Sequence, residues 1–369
     1  MKIQPFRGLY PNLGVMTSPD TFFATVKYEF ADYLRSNFFV EIERDALFLC
    51  DIVTPVSTRT GVLASVDIEE YLDGHILKHE ETITATETHL TDLLMQRRAM
   101  IKPVLLAYPP AEEIVALIAE ARNGEPLYEI CFEQEQQRHI YYAITDHELI
   151  ARFQRAWLVS LPKAYIADGH HRCSSNASLY KSLEKGGEVA EAYRYLLAAF
   201  FAFDQVTIHE YNRVADLPRK MSTTMFMAAL SRLCTIRHVP QPVKPGKAHE
   251  LTLYINREWY RLRWKKKILK KYRDNLVIMD AEILNHEVLQ KILGIEDVRN
   301  DARISYVDGM SGIQGLADKT GKKSVRAGFY LYPISMDDLV KIADAGQTLP
   351  PKSTWFEPRV KNGLISQRI

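Results

Sequence analysis

Tyr165-Ile166-Ala167-Asp168-Gly169-His170-His171-Arg172 sets a short apolar run directly before a carboxylate, a glycine, two imidazoles and a guanidinium. Ala164 to Ala167 has the composition of a buried strand. Cys173 to Lys185 carries Ala177, Leu179, Tyr180 and Leu183 at spacings that suit one face of a helix. The polar cluster therefore occupies a strand-to-helix junction. The first turn of a helix leaves backbone N–H groups unpaired and concentrates partial positive charge, so anions bind there. Gly169 lets a ligand approach the backbone, Ser174 or Ser175 is expected to cap the helix, and Arg172 offers a planar fork for phosphate or carboxylate oxygens. Phosphate is the natural guest, with Gly169, His170, His171 and Arg172 as its candidate ligands. The structural alternative makes Asp168 a turn residue, His171 a half-buried ring and Arg172 the partner in a surface ion pair.

Outward from this junction, apolar periodicity predicts alternating strands and helices. Leu47 to Val53 and Gly61 to Val66 read as strands, and Ile68 to Leu77 contains a short helix. A helix is expected to open at His79-Glu80-Glu81-Thr82, where Thr82 or Thr84 would cap it, and to run through Arg98 with Leu90, Leu93, Leu94 and Ile101 at helical spacing. Pro103 stops it, and Val104 to Tyr108 reads as a buried strand. A helix over 111–122, a strand pair at 127–133 and 139–144 and a helix beginning at Asp146 lead to the junction. After it, 188–197 is expected to be helical and 198–206 a buried strand. The Pro-rich stretch Val239 to Gly246 marks a change of character, and 249–264 alternates like a hairpin. The expected organisation is a main body of residues 1–215 with 276–369, plus a small appended α+β unit at 216–275.

Two further segments carry chemistry. Glu80 is suited to take a proton from a hydroxyl, with His79 orienting it or binding phosphate; Asp168 is the other candidate base. Lys352-Ser353-Thr354, stiffened by Pro350-Pro351, supplies donors for oxyanions. Both segments are expected to converge on the Asp-Gly-His-His-Arg cluster. A participating metal would be Mg²⁺ bridging phosphates and held by Asp168 or Glu80, whose oxygens suit a hard cation. The sequence contains no P-loop, no G-x-G-x-x-G after a strand, no G-x-S-x-G elbow and no H-E-x-x-H helix. Cys173 is a candidate nucleophile at a helix start, although packing is the commoner use of such a thiol.

Composition sets bounds on partners. Lys plus Arg total 47 and Asp plus Glu 46, so no global field gathers nucleic acid or anionic membrane. The basic run Arg261 to Arg273 lacks an aromatic ladder for base stacking and reads as a solvated face. Four scattered cysteines without a C-x-x-C pair argue against structural zinc and for reduced thiols. With no leader-like start and no apolar run of bilayer length, the expectation is a cytoplasmic protein.

The junction segment resembles the hallmark of the family called domain of unknown function 1015 (DUF1015). Ile3-Gln4-Pro5-Phe6-Arg7-Gly8 resembles that family's opening, His79-Glu80-Glu81-Thr82 its His-Glu-x-Thr box, and Pro103 to Tyr108 the strand after it. Leu293-Gly294-Ile295, Pro350 to Phe356 and Gly363-Leu364-Ile365 are similar to its tail. The chain departs where the family usually has a His-Arg pair after a middle strand, for Asn212 and Arg213 stand there. Over a few dozen residues the cluster is also similar to the phosphate-binding Gly-x-His-Arg segment of the ParB and sulfiredoxin superfamily, which includes a free-serine kinase and the nucleotide-binding domain of partitioning proteins.

The resemblance implies an α+β fold with a mixed-sheet, ParB/sulfiredoxin-like core. It implies ATP or ADP with Mg²⁺, and a phosphotransferase acting on a small hydroxyl metabolite, free serine foremost. Two alternatives stay open: a phosphoserine phosphatase using the same site, and a non-catalytic nucleotide-binding switch or adaptor of ParB type. The expected partner is a small-molecule phosphate substrate, with neither nucleic acid nor membrane; a homodimer is an open alternative for the assembly.

Overall fold

Val104–Tyr108 is buried at every position, as befits a continuous apolar run bounded by Pro103 and Pro109, and it lies inside a mixed nine-stranded sheet. Ala164–Asp168 pairs with it antiparallel on one side and Tyr195–Ala202 parallel on the other. From one edge the order is Ile76–Leu77, Ala164–Asp168, Val104–Tyr108, Tyr195–Ala202, Thr58–Asp67, Leu47–Val53, Gln137–Ile144 and Tyr128–Phe132. Ile3–Gln4 adds to Thr58–Asp67 off this path. The computed structural model describes residues 1–16, 18–184, 191–321 and 325–369. It is an α+β chain in two units, Met1–Thr207 with Pro358–Ile369, and Ile208–Glu357.

In the first unit, the helix His147–Ser160 opens on Asp146, whose carboxylate accepts the Leu149 N–H at 2.7 Å. It buries Trp157 edge-on against Phe200, with 5.8 Å between ring centres. Two expectations change here. The segment His79 to Thr82 is not helical; the helix is Thr84–Arg97, with Ile83 at its cap position and no side-chain cap from Thr82 or Thr84. The strand Tyr195–Ala202 begins inside the stretch read as helix, after a single turn at Glu191–Tyr193; residues 188–190 of that stretch lie outside the described residues.

The second unit is built on a six-stranded antiparallel sheet. Its hairpin joins Glu250–Ile255 to Glu258–Trp264 through Asn256 and Arg257, both with positive φ (51° and 63°), the two-residue turn that matches strand twist. Glu250–Ile255 then pairs with Arg326–Tyr330, that strand with Tyr211–Asp216, and the last with Ile304–Asp308. Residues 276–357 therefore share a sheet and a core of Phe226, Leu253, Trp264 and Phe329 with the hairpin, whereas the sequence placed them with the main body. The Pro-rich stretch is a connection within this unit and not a boundary. Among the described residues no helix is long and apolar enough to cross a membrane.

Candidate functional site

The strand Ala164–Asp168 ends irregularly: Ile166 pairs with Leu106 and Asp168 with Leu105, so Ala167 is an extra residue. A bulge of this kind re-aims the side chain that follows it. Gly169 then takes φ +106°, a conformation that L side chains rarely adopt, and the helix His170–Glu184 starts immediately. A Cβ at position 169 would lie 2.8 Å from Nη2 of Arg172. Gly169→Ala is expected to displace that guanidinium and cost about 1–3 kcal/mol. A urea midpoint equal to that of wild type would contradict this. Ser174 and Ser175 are inside the helix and do not cap it; the Ser175 hydroxyl donates to the Arg172 carbonyl at 3.2 Å. Cys173 is fully buried and burial pushes its thiol up, so it packs as an apolar group and is no nucleophile.

The centre of the site is a shared carboxylate. Lys102 Nζ and Arg172 Nη2 each donate to Oδ2 of Asp168 at 2.9 Å, while Arg172 Nη1 donates to the carbonyls of Lys102 (3.0 Å) and Pro103 (2.6 Å). Burial alone would push Asp168 up, but the charges of Arg172, Lys102 and, more weakly, Arg359 outweigh it and hold the carboxyl well below the usual carboxylate range. Burial lowers the Lys102 ammonium despite Asp168. The ion pair of the structural alternative is thus present, yet it is unbalanced. Lys102 and Arg172 have Asp168 as their one carboxylate among the described residues, and Arg359 adds its field. A net positive, partly buried centre at a helix start favours an anion. Lys102 and Arg359 were not legible as site residues. The only signal for Lys102 is its position just before the strand beside the junction strand.

His79 and Glu80 meet the junction at His170. The His79 and His170 rings meet edge-on with centres 4.4 Å apart, and Glu80 Oε2 lies 3.8 Å from His170 Nδ1. Both rings are buried, and burial lowers them: His170 to about 3, and His79 well below the usual histidine range. They are neutral imidazoles at physiological pH. Nε2 of His170 is buried without a hydrogen-bond partner among the described residues. His171 Nε2 accepts the Ile83 N–H at 3.1 Å, which ties the start of the Thr84–Arg97 helix to the junction.

Lys352, Ser353 and Thr354 belong to the second unit. There the Lys352 ammonium lies 5.3 Å from the centre of the Tyr211 ring, and the Ser353 hydroxyl donates to the Pro350 carbonyl at 2.6 Å. Arg213, fully buried, donates to the carbonyls of Tyr211 (2.9 Å) and Lys352 (3.4 Å), and Asn212 Oδ1 accepts the Leu331 N–H. Where the family resemblance suggested a histidine-arginine pair, this pair pins the tail segment and a strand end.

The Mg²⁺ expected at Asp168 or Glu80 is one that phosphates bridge, and the protein alone offers it no ready-made cage. Among the described residues no group of three or more His, Cys, Asp or Glu side chains is placed to hold a metal, and Oδ2 of Asp168 is already taken by two cations.

Three solved structures illustrate what the backbone is similar to. SbnI with a C-terminal truncation, from Staphylococcus aureus, matches with a TM-score of 0.43 at 12% identity, over 81% of this chain and 85% of that one. A mutant free serine kinase in complex with ADP gives 0.39 at 12% identity, over 82% and 92%. A conserved hypothetical protein from Pyrococcus furiosus gives 0.37 at 12% identity, over 82% and 95%. No curated protein matches the chain. One family model, described as protein of unknown function (DUF1015), matches residues 12–291. The His-Glu-x-Thr box and the Asp-Gly-His-His-Arg junction both fall within this match, which spans most of the sequence, and the chain belongs to the DUF1015 family.

Proposed function

We propose that the Asp168–Arg172 junction holds the phosphates of a nucleotide, ATP or ADP, and that the protein transfers a phosphoryl group to the hydroxyl of a small metabolite, with free serine the first acceptor to test. The observation that carries this reading is the cationic excess around Asp168, set at a helix start where Gly169 makes room for the Arg172 guanidinium. Phosphoryl transfer asks little covalent chemistry of a protein and much positioning and charge stabilisation, which such a centre supplies.

Asp168 is an anchor in this reading and not the base, because its carboxyl is held low and engaged by two cations. Glu80, partly exposed beside His170, takes the proton. The acceptor hydroxyl oxygen bonds to the terminal phosphorus, its proton passes to Glu80, and the bond from phosphorus to the bridging oxygen breaks, with the electron pair leaving on the shortened nucleotide. His79 and His170, neutral and buried, shape the wall behind Glu80 without adding charge.

The test is incubation of the purified protein with serine and ATP or ADP, with phosphoserine measured by mass spectrometry, and separately with phosphoserine alone. Glu80→Gln is expected to lower turnover about 100-fold or more while nucleotide affinity stays within a few-fold. Phosphate release from phosphoserine would establish the phosphatase direction. Nucleotide binding without product from a broad panel of hydroxyl metabolites would establish the switch.

A further inference from the structure

Beside the junction, wholly within the first unit, lies a cavity of about 300 Å³. Lys102 and Arg172 line it at the cationic centre. Leu90, Leu93 and Leu94 of the Thr84–Arg97 helix line another part, and Met100, Val104 and Leu196 line it from strands and their ends. That helix has no fully buried residue although it packs along the His170–Glu184 helix. Its leucine stripe, at helical spacing, therefore faces a hollow where a close-packed interior would be expected. A second observation is independent of the cavity's shape. Asn176, only 1% exposed, lines the same cavity; its Nδ2 donates to the Tyr193 carbonyl at 3.4 Å, while its Oδ1 is buried with no hydrogen-bond partner among the described residues. A buried acceptor left unmatched is costly, and a ligand N–H would satisfy it.

The fitting ligand has an anionic end, an apolar body and an N–H donor. A nucleobase with an exocyclic amino group meets all three requirements once its phosphates are at the junction, and a carboxamide paired with such an amino group is a recurrent base contact. We infer that this cavity is the base-binding half of the site: an adenine ring packs against the leucine stripe, its amino group donates to Asn176 Oδ1, and the phosphates pass Arg172 to the helix start. This rests on the phosphate-binding reading above. Hypoxanthine, which presents a carbonyl in place of the amino group, would set acceptor against acceptor and bind about 10-fold more weakly.

Calorimetric titration with inorganic pyrophosphate, ADP and IDP separates the two readings. Wild type is expected to bind ADP about 10-fold or more tightly than either pyrophosphate or IDP. Leu93→Trp, which fills the cavity from a partly exposed helix, should bring ADP down to the affinity of pyrophosphate and leave pyrophosphate unchanged. Asn176→Ser should erase the preference for ADP over IDP, and retained circular dichroism shows that either variant folds. Should Leu93→Trp not fold, Leu94→Phe takes its place. Pyrophosphate binding with no gain for ADP, or an ADP preference that survives Leu93→Trp, overturns the base site while the phosphate site stands. Failure of wild type to bind either ligand overturns both.

Discussion

Arg172→Ala is expected to lower the folding free energy by about 3–5 kcal/mol and to abolish phosphate binding in the same step. The guanidinium is mostly shielded, and it spans the Asp168 carboxylate and the carbonyls of Lys102 and Pro103. Truncation leaves two carbonyls without their donor and Asp168 with Lys102 alone, in a setting too buried for water to compensate fully. On sequence, Arg172 reads as a ligand contact whose loss would spare the fold. The structure instead makes it a clamp between the helix start and the entry to the Val104–Tyr108 strand. Arg172→Lys keeps the charge but cannot span three oxygens, so a smaller loss of about 1–2 kcal/mol is expected. Urea denaturation of the variants measures both values. A wild-type midpoint for Arg172→Ala would show that the network is a solvated surface pair.

Mild acid is expected to destabilise the protein steeply before any carboxylate titrates. His79, His139 and His170 are buried, and burial lowers each, to about 3 for His139 and His170. In the unfolded chain all three titrate near a pH of about 6.5. Because the folded values are depressed, the unfolded state takes up protons first. Stability is complete above about 6.5 and falls as the pH drops toward the folded values, by about 1.4 kcal/mol per histidine per pH unit. At pH 5 His139 and His170 have each removed about 2 kcal/mol. His249 runs the other way, since its hydrogen bond to Asp280 raises it, and it offsets a small part. Asp168 and the glutamates held low in the fold, Glu87, Glu250 and Glu287, add their losses only as the pH falls below about 5, so the interval from pH 6.5 to about 5 isolates the histidines. His170→Gln should flatten the profile there by about 1.4 kcal/mol per pH unit. A profile parallel to wild type would mean that His170 is not held neutral.

The parts of the fold that were legible in the sequence are those whose cause is local. The strand Val104–Tyr108 is bracketed by prolines, the helix after Asp146 announces its cap, and the 249–264 hairpin alternates cleanly across its turn. The junction itself belongs to this class, since apolar strand, glycine and helix follow one another directly. Where the cause is distant, local reading fails. The run Tyr195 to Phe203 is apolar throughout, so periodicity could not separate a buried strand from a helix. Acids and threonines near His79 imitate a cap and draw the expected start of the Thr84–Arg97 helix forward, whereas the contact fixing its start comes from His171 in another element. The balance of the site was hidden for the same reason: Lys102 and Arg359 meet Asp168 only through the sheet and the returning C-terminal segment. Assignment of residues 276–357 to the hairpin's sheet likewise depends on pairings between strands far apart in the chain.

Titration of pyrophosphate into the wild-type protein and into Gly169→Ala, with heats recorded at low and moderate salt, tests the anion cradle at residues 168–172 most directly. Saturable binding at one site is expected in wild type, weakened by salt and lost in the variant while its circular dichroism is retained. Absence of saturable binding in wild type, or equal affinity in the two proteins, would contradict it.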